Sequence, residues 1–102
     1  LVFILQRGVR FPQGPPIMAY FVYMLLTKHN DKYVTYVGYT NNLDQRLKLH
    51  NESKGAKFTK GKKWKIIYKK EYLTKSSAMK DEYRLKKDYK LRNEIKLSYL
   101  YK

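Results

Sequence analysis

Tyr20-Phe21-Val22-Tyr23-Met24-Leu25-Leu26 and Tyr33-Val34-Thr35-Tyr36-Val37-Gly38-Tyr39, followed by Asn42-Leu43-Asp44-Gln45-Arg46-Leu47-Lys48-Leu49-His50, form the stretch on which the fold turns. Both apolar runs are rich in aromatic and β-branched residues, and the polar segment Thr27 to Lys32 separates them. They read as the two strands of a hairpin. From Asn41 the apolar spacing changes to that of a helix, with Leu43 and Leu47 as its core stripe. Asn41 or Asn42 is a suitable N-cap, and Gln45 stands three after Asn42 as in a capping box, so a helix ending near Asn51 is expected. Its Arg46 and His50 project just to one side of the leucine stripe, at the border of core and solvent.

Downstream, Glu52 to Lys63 (ESKGAKFTKGKK) contains Gly55, Gly61, five lysines and Phe58, and reads as a flexible basic loop. Trp64 to Tyr72 (WKIIYKKEY) is β-prone and half alternating, which predicts a third strand. Thr74 to Ser77 offer N-caps for a second helix running to about Asp88, and Tyr89 to Lys102 reads as its broken continuation, packing Leu91, Ile95 and Leu100 on the sheet. Upstream, Leu1 to Leu5 is too short an apolar run to span a bilayer. Residues 7–16 (RGVRFPQGPP) hold all three prolines, so residues 1–17 are expected to be an irregular arm or extension ahead of a single domain over 18–102. The fold class is α/β in the broad α+β sense: a small three-stranded antiparallel sheet flanked by helices.

With 102 residues there is room for one core. The absence of cysteine excludes disulfides, thiolate zinc sites and thiol nucleophiles, and makes the cytoplasm the simplest expected location. Twenty-three Lys+Arg against 8 Asp+Glu give a formal net charge of +15, which disfavours the compact state unless a polyanion offsets it. Nucleic acid is the expected partner. A membrane surface fits less well, because no long helix combines a lysine-only polar face with a bulky apolar one. Part of the lysine excess is accounted for equally by plain solubility.

Candidate functional residues follow from chemistry. In the second helix Ala78, Met79, Leu85 and Tyr89 define the expected apolar register, with Glu82 on the stripe and Asp81 on its polar side. A carboxylate on that stripe is costly unless it is paired or bound to a cation, so Glu82 is either a structural ion-pair partner or the lone protein ligand of a hard divalent ion. Tyr23 and Tyr36 lie on neighbouring strands that can present both to one face. Most of the eleven tyrosines are ordinary core or rim residues, and a phenol acts as a base only if nearby positive charge lowers its pKa. Arg46 either forks onto a phosphate or is a solvated helix arginine, and His50 either shares a proton with that phosphate's chemistry or caps the helix. Lys54, Lys57, Lys60, Lys62 and Lys63 offer sequence-independent phosphate contacts or simply solvate the loop. With only two histidines, a histidine-built metal site is excluded.

Taken in order, these residues resemble the GIY-YIG nuclease domain, particularly its small stand-alone bacterial form. Phe21-Val22-Tyr23 and Tyr36-Val37-Gly38 stand at its two tripeptides, Arg46 and His50 at its helical arginine and histidine, Lys54-Gly55-Ala56-Lys57 with Lys60-Gly61 at its basic loop, and Glu82 at its metal-binding glutamate. Phe21 departs from the glycine of the first tripeptide, Tyr39 stands where some relatives have lysine, and Asn93 is a doubtful counterpart of an accessory asparagine. The resemblance implies an endonuclease in which one of Tyr23 and Tyr36 activates water, Arg46 holds the scissile phosphate, His50 assists, and Glu82 holds one Mg²⁺ or Mn²⁺. Gly38 would keep the backbone clear for DNA, with Tyr39 and the loop lysines beside it. The expected setting is repair or recombination of branched or damaged DNA by a monomer, with a targeting partner left open. The alternatives are a non-catalytic nucleic-acid-binding module of the same fold and, more weakly, a ribosome-associated basic protein.

Overall fold

The computed structural model describes residues 19–102, so the arm expected over residues 1–17 lies outside the described residues. Three strands, β1 (Tyr20–His29), β2 (Lys32–Thr40) and β3 (Lys65–Tyr72), form an antiparallel sheet in the order β2-β1-β3. Three helices follow from the remaining segments: α1 (Leu43–Asn51), α2 (Lys75–Lys87) and α3 (Tyr89–Leu100).

The hairpin is tighter than its composition suggests. Thr27, Lys28 and His29 pair with Val34, Tyr33 and Lys32, leaving a turn of Asn30 and Asp31. Both turn residues have positive φ, 52° and 62°. A two-residue hairpin turn whose twist matches its strands demands that conformation, and Asn and Asp tolerate it better than most side chains.

β1 is central, and its residues from Val22 to Thr27 are buried without interruption because both faces of the sheet are covered. Strand alternation divides them. Val22 and Met24 join Val37, Ala78 and Leu85 in one cluster, against which Ile67, Leu91 and Ile95 pack, so α2 and α3 cover this face. Tyr23 and Leu25 join Trp64 in the other, beside Leu43, Leu47 and Tyr36, so α1 and the segment after it cover the second face. No helix of the described residues is long and apolar enough to cross a membrane.

Local signals set the helix ends. The Asn42 side chain accepts the Gln45 backbone N–H at 3.1 Å, as expected of the N-cap. The reciprocal half of the capping box is not made: the Asn42 N–H donates instead to Thr40 Oγ1 at 3.1 Å. Asp88 closes α2 and caps α3, accepting the Leu91 N–H at 3.0 Å, so the expected broken continuation is a separate helix that turns Leu91 and Ile95 inward.

The register of α2 corrects the expected one. Ala78, Asp81 and Leu85 are its buried residues, Glu82 is half-buried beside them, and Met79 is exposed. Spacings of three then four, rather than four then three, link Ala78 to Leu85, which rotates the inner face onto Asp81. One Asp81 oxygen is held by Arg84 at 2.6 Å, while Oδ2 is buried without a bond. Burial, reinforced by this carboxylate, raises the pKa of Tyr68 and Tyr72 on β3.

Candidate active site

Tyr23 and His50 meet in the interior beneath α1. Tyr23 is 2 % exposed and His50 0 %, so His50 belongs to the core and not to the expected border with solvent. Tyr23 Oη lies 2.9 Å from His50 Nε2, and His50 Nδ1 lies 2.8 Å from Thr59 Oγ1. Two glycines make the room. A Cβ on Gly38, the cross-strand partner of Tyr23, would stand 2.5 Å from Tyr23 Oη and 2.7 Å from its Cζ. A Cβ on Gly55 would stand 2.5 Å from His50 Nδ1. The space that Gly38 leaves is therefore filled by Tyr23.

Tyr36 pairs across the strands with Leu25, so it lies diagonally from Tyr23 and not opposite it. The two tyrosines converge on His50, with ring centroids 5.9 Å and 5.1 Å from the imidazole for Tyr23 and Tyr36. On its other side Tyr36 stacks on Phe58, centroids 6.2 Å apart and planes 19° from parallel.

The segment after α1 is more structured than a flexible basic loop. Asn51 Nδ2 donates to the Trp64 carbonyl at 3.1 Å and Asn51 Oδ1 accepts the Trp64 N–H, so the two ends of the segment are tied together. Trp64 Nε1 donates to the Thr59 carbonyl at 3.0 Å, and the Gly61 N–H donates to Ser53 Oγ at 2.9 Å. Within this closed strap Thr59 is fully buried, while Lys54, Lys57, Lys60 and Lys63 are exposed and Lys62 lies over the Phe58 ring.

Electrostatics separate the roles. Burial pushes the Tyr23 phenol up to about 12, only partly opposed by the neighbouring Arg46 guanidinium. Burial and Arg46 together lower the pKa of His50, which keeps the imidazole neutral near pH 7. Arg46 is half-buried, its Nε is shielded and has no hydrogen-bond partner, and no carboxylate pairs with it among the described residues.

Glu82 arrives from the helical layer on the other side of the sheet, yet its charge is felt at Tyr23, where it helps to raise the phenol pKa. One of its oxygens pairs with the exposed Lys86 Nζ at 3.0 Å. Among the described residues no group of three or more His, Cys, Asp or Glu side chains could hold a metal ion. Tyr39 is not brought to this site: it packs with Val22 and Met24 on the opposite face. Gly55 and Thr59 are the positions that sequence reasoning passes over, since single small residues in a loop carry no periodicity. The one available signal is their place in a glycine-and-lysine segment directly after the helix that carries His50.

Residues 19–96 match the family described as the GIY-YIG catalytic domain. The chain is also similar to the UPF0213 protein OB0043 of Oceanobacillus iheyensis, 42 % identical over 63 % of this chain and 72 % of the relative. It is 42 % identical to the UPF0213 protein RBAM_000440 of Bacillus velezensis over 64 % of each chain, and 42 % identical to the UPF0213 protein YazA of Bacillus subtilis over 63 % of each. The chain thus spans somewhat less than two thirds of the latter two relatives. No solved structure matches it.

Proposed function

This chain belongs to the GIY-YIG family, and on that premise we propose that it hydrolyses DNA phosphodiester bonds with the help of one divalent cation. The observation that carries the reading is Arg46, a half-buried cation beside Tyr23 and His50 whose Nε lacks any partner. A shielded guanidinium nitrogen left without a partner is costly, and a phosphate offers the planar fork two oxygens.

In this reading Arg46 holds the scissile phosphate. A water oxygen bonds to phosphorus as the bond to the departing sugar oxygen breaks. Tyr23 Oη accepts the proton of that water while its own proton passes to His50 Nε2, 2.9 Å away. A phenol held at about 12 is un-ionised at neutral pH, so this concerted hand-over replaces prior ionisation. The departing oxygen takes its proton from solvent. Tyr36 holds His50 in place through its ring.

Glu82 would hold the cation. With one half-buried carboxylate and no acidic cluster among the described residues, the donor set fits a hard ion such as Mg²⁺ or Mn²⁺ that keeps most of its waters, and does not fit a protein-built cage. When bound, such an ion neutralises charge developing on the phosphate and the departing oxygen. Lys54, Lys57 and Lys60 follow the DNA backbone without reading sequence. Branched or damaged DNA in the cytoplasm is the setting this proposal adopts, with the protein acting as a monomer.

The test is incubation of the purified protein with nicked, flapped and four-way DNA in Mg²⁺ or Mn²⁺, with and without EDTA. Strand cutting that EDTA abolishes is the expected result. Binding of these DNAs with no cutting in either metal contradicts the nuclease and favours a non-catalytic binding module. Salt sensitivity does not separate the two, because both predict steep counterion release.

A further inference from the structure

The three contacts of Thr59 Oγ1 constrain where the protons lie. The oxygen is 2.9 Å from the Ala56 carbonyl oxygen, 3.2 Å from the Ala56 backbone N–H and 2.8 Å from His50 Nδ1. A hydroxyl has one hydrogen and a carbonyl oxygen can only accept, so the 2.9 Å contact is a hydrogen bond only with that hydrogen pointing at Ala56 O. Towards the Ala56 N–H and towards His50 the Thr59 oxygen then accepts. The opposite arrangement, Thr59 donating to a bare Nδ1, would set lone pairs of two oxygens against each other at 2.9 Å.

We propose that Thr59 is a positioning residue that fixes neutral His50 as its Nδ1–H tautomer and so leaves Nε2 a bare acceptor aimed at the Tyr23 hydroxyl. Gly55 is the second half of this device. With a side chain there, a Cβ 2.5 Å from Nδ1 would push the imidazole out of reach of Thr59 or Tyr23. Full burial of both His50 and Thr59 keeps water from competing for Nδ1. The depressed basicity of His50 supports the neutral form, since an imidazolium would carry a proton on Nε2 and turn the Tyr23 contact round. The hand-over of the Tyr23 proton proposed above requires that bare Nε2. The basic loop would thus contribute to the chemistry through a buried threonine as well as to DNA binding through its lysines. The catalytic consequence rests on the nuclease reading, whereas the tautomer does not.

The two properties are read separately. Long-range proton–nitrogen NMR correlations on ¹⁵N-histidine protein at neutral pH report each ring nitrogen, and only His29 and His50 need to be told apart. Wild type and Thr59→Ser are expected to show a protonated Nδ1 and a pyridine-type Nε2 for His50. Thr59→Val, which keeps the shape and loses the acceptor, is expected to populate the Nε2–H form. In DNA cleavage Thr59→Val should lower kcat by about 10–100-fold with KM changed less than about twofold, and Thr59→Ser should restore the rate. A wild-type His50 protonated on Nε2 overturns the proposal whatever the cleavage assay gives. So does a Thr59→Val protein that keeps the wild-type tautomer, or one that changes tautomer and still cuts at the wild-type rate. If Thr59→Val does not fold, the wild-type and Thr59→Ser spectra decide the assignment by themselves. A correct tautomer in a protein that cuts no DNA supports the positioning role and refutes only the nuclease.

Discussion

Replacement of Tyr23 by phenylalanine should lower DNA cleavage by about 10²–10⁴-fold, the usual range for a group that moves a proton in the reaction. The ring remains to fill the interior, so the fold should survive. His50 Nε2 loses its partner at 2.9 Å, and a buried polar atom left without one costs about 1–3 kcal/mol. The variant should therefore fold with a lower denaturation midpoint and bind DNA as wild type does. A second readout follows from protonation. The folded Tyr23 pKa of about 12 lies above its ordinary 10.0, so its contribution to stability is complete below pH 10 and is lost as pH rises towards 12. Tyr68 and Tyr72 are raised in the same direction, so part of the alkaline loss should persist in Tyr23→Phe while the Tyr23 share disappears. Denaturant melts of both proteins between about pH 9 and 12 measure this directly. An unchanged cleavage rate would remove Tyr23 from the chemistry.

Gly38→Ala is expected to damage folding and activity together. The added methyl would stand 2.5 Å from Tyr23 Oη and 2.7 Å from Cζ, in a side chain whose residue is only 2 % exposed. Overpacking of this kind costs about 1–3 kcal/mol, and moving the ring also breaks its hydrogen bond to His50. Thermal or denaturant unfolding should show the loss, and any folded fraction should cut DNA as poorly as Tyr23→Phe. Had Gly38 served only to let DNA approach, alanine would leave stability unchanged and weaken binding.

The sheet was legible because its two longest apolar runs are dense in aromatic and β-branched residues, and the first helix because Leu43 and Leu47 follow an asparagine cap. The tightness of the hairpin was not. Lys28, His29 and Lys32 are exposed, so their pairing comes from backbone hydrogen bonds and turn geometry, which leave no hydrophobic signature. The face of Tyr39 could have been read: a period of two puts residues 36 and 38 on one side of the strand and 37 and 39 on the other. The inner face of α2 was ambiguous for a physical reason. Ala78 and Leu85 are seven apart, and a helix accepts either residue 81 or residue 82 between them. Charge counting favours Asp81 outside, yet the Arg84 guanidinium 2.6 Å away makes its burial tolerable. The Tyr23, Arg46 and His50 cluster could be anticipated only through the resemblance to the GIY-YIG domain. Its depth could not, because the cover comes from Thr59, Gly55 and Trp64 in a segment whose composition advertises only positive charge.

The central claim is that Arg46 and Glu82 serve the same cutting site as Tyr23 and His50. Cutting and binding of nicked, flapped and four-way DNA in Mg²⁺ or Mn²⁺, measured on the same samples for wild type, Arg46→Ala and Glu82→Ala, test it most directly. The account predicts cutting by wild type that both variants lose, by about 100-fold or more, while each still binds DNA. Binding by all three proteins with cleavage of none, or cleavage that survives either substitution, would contradict it.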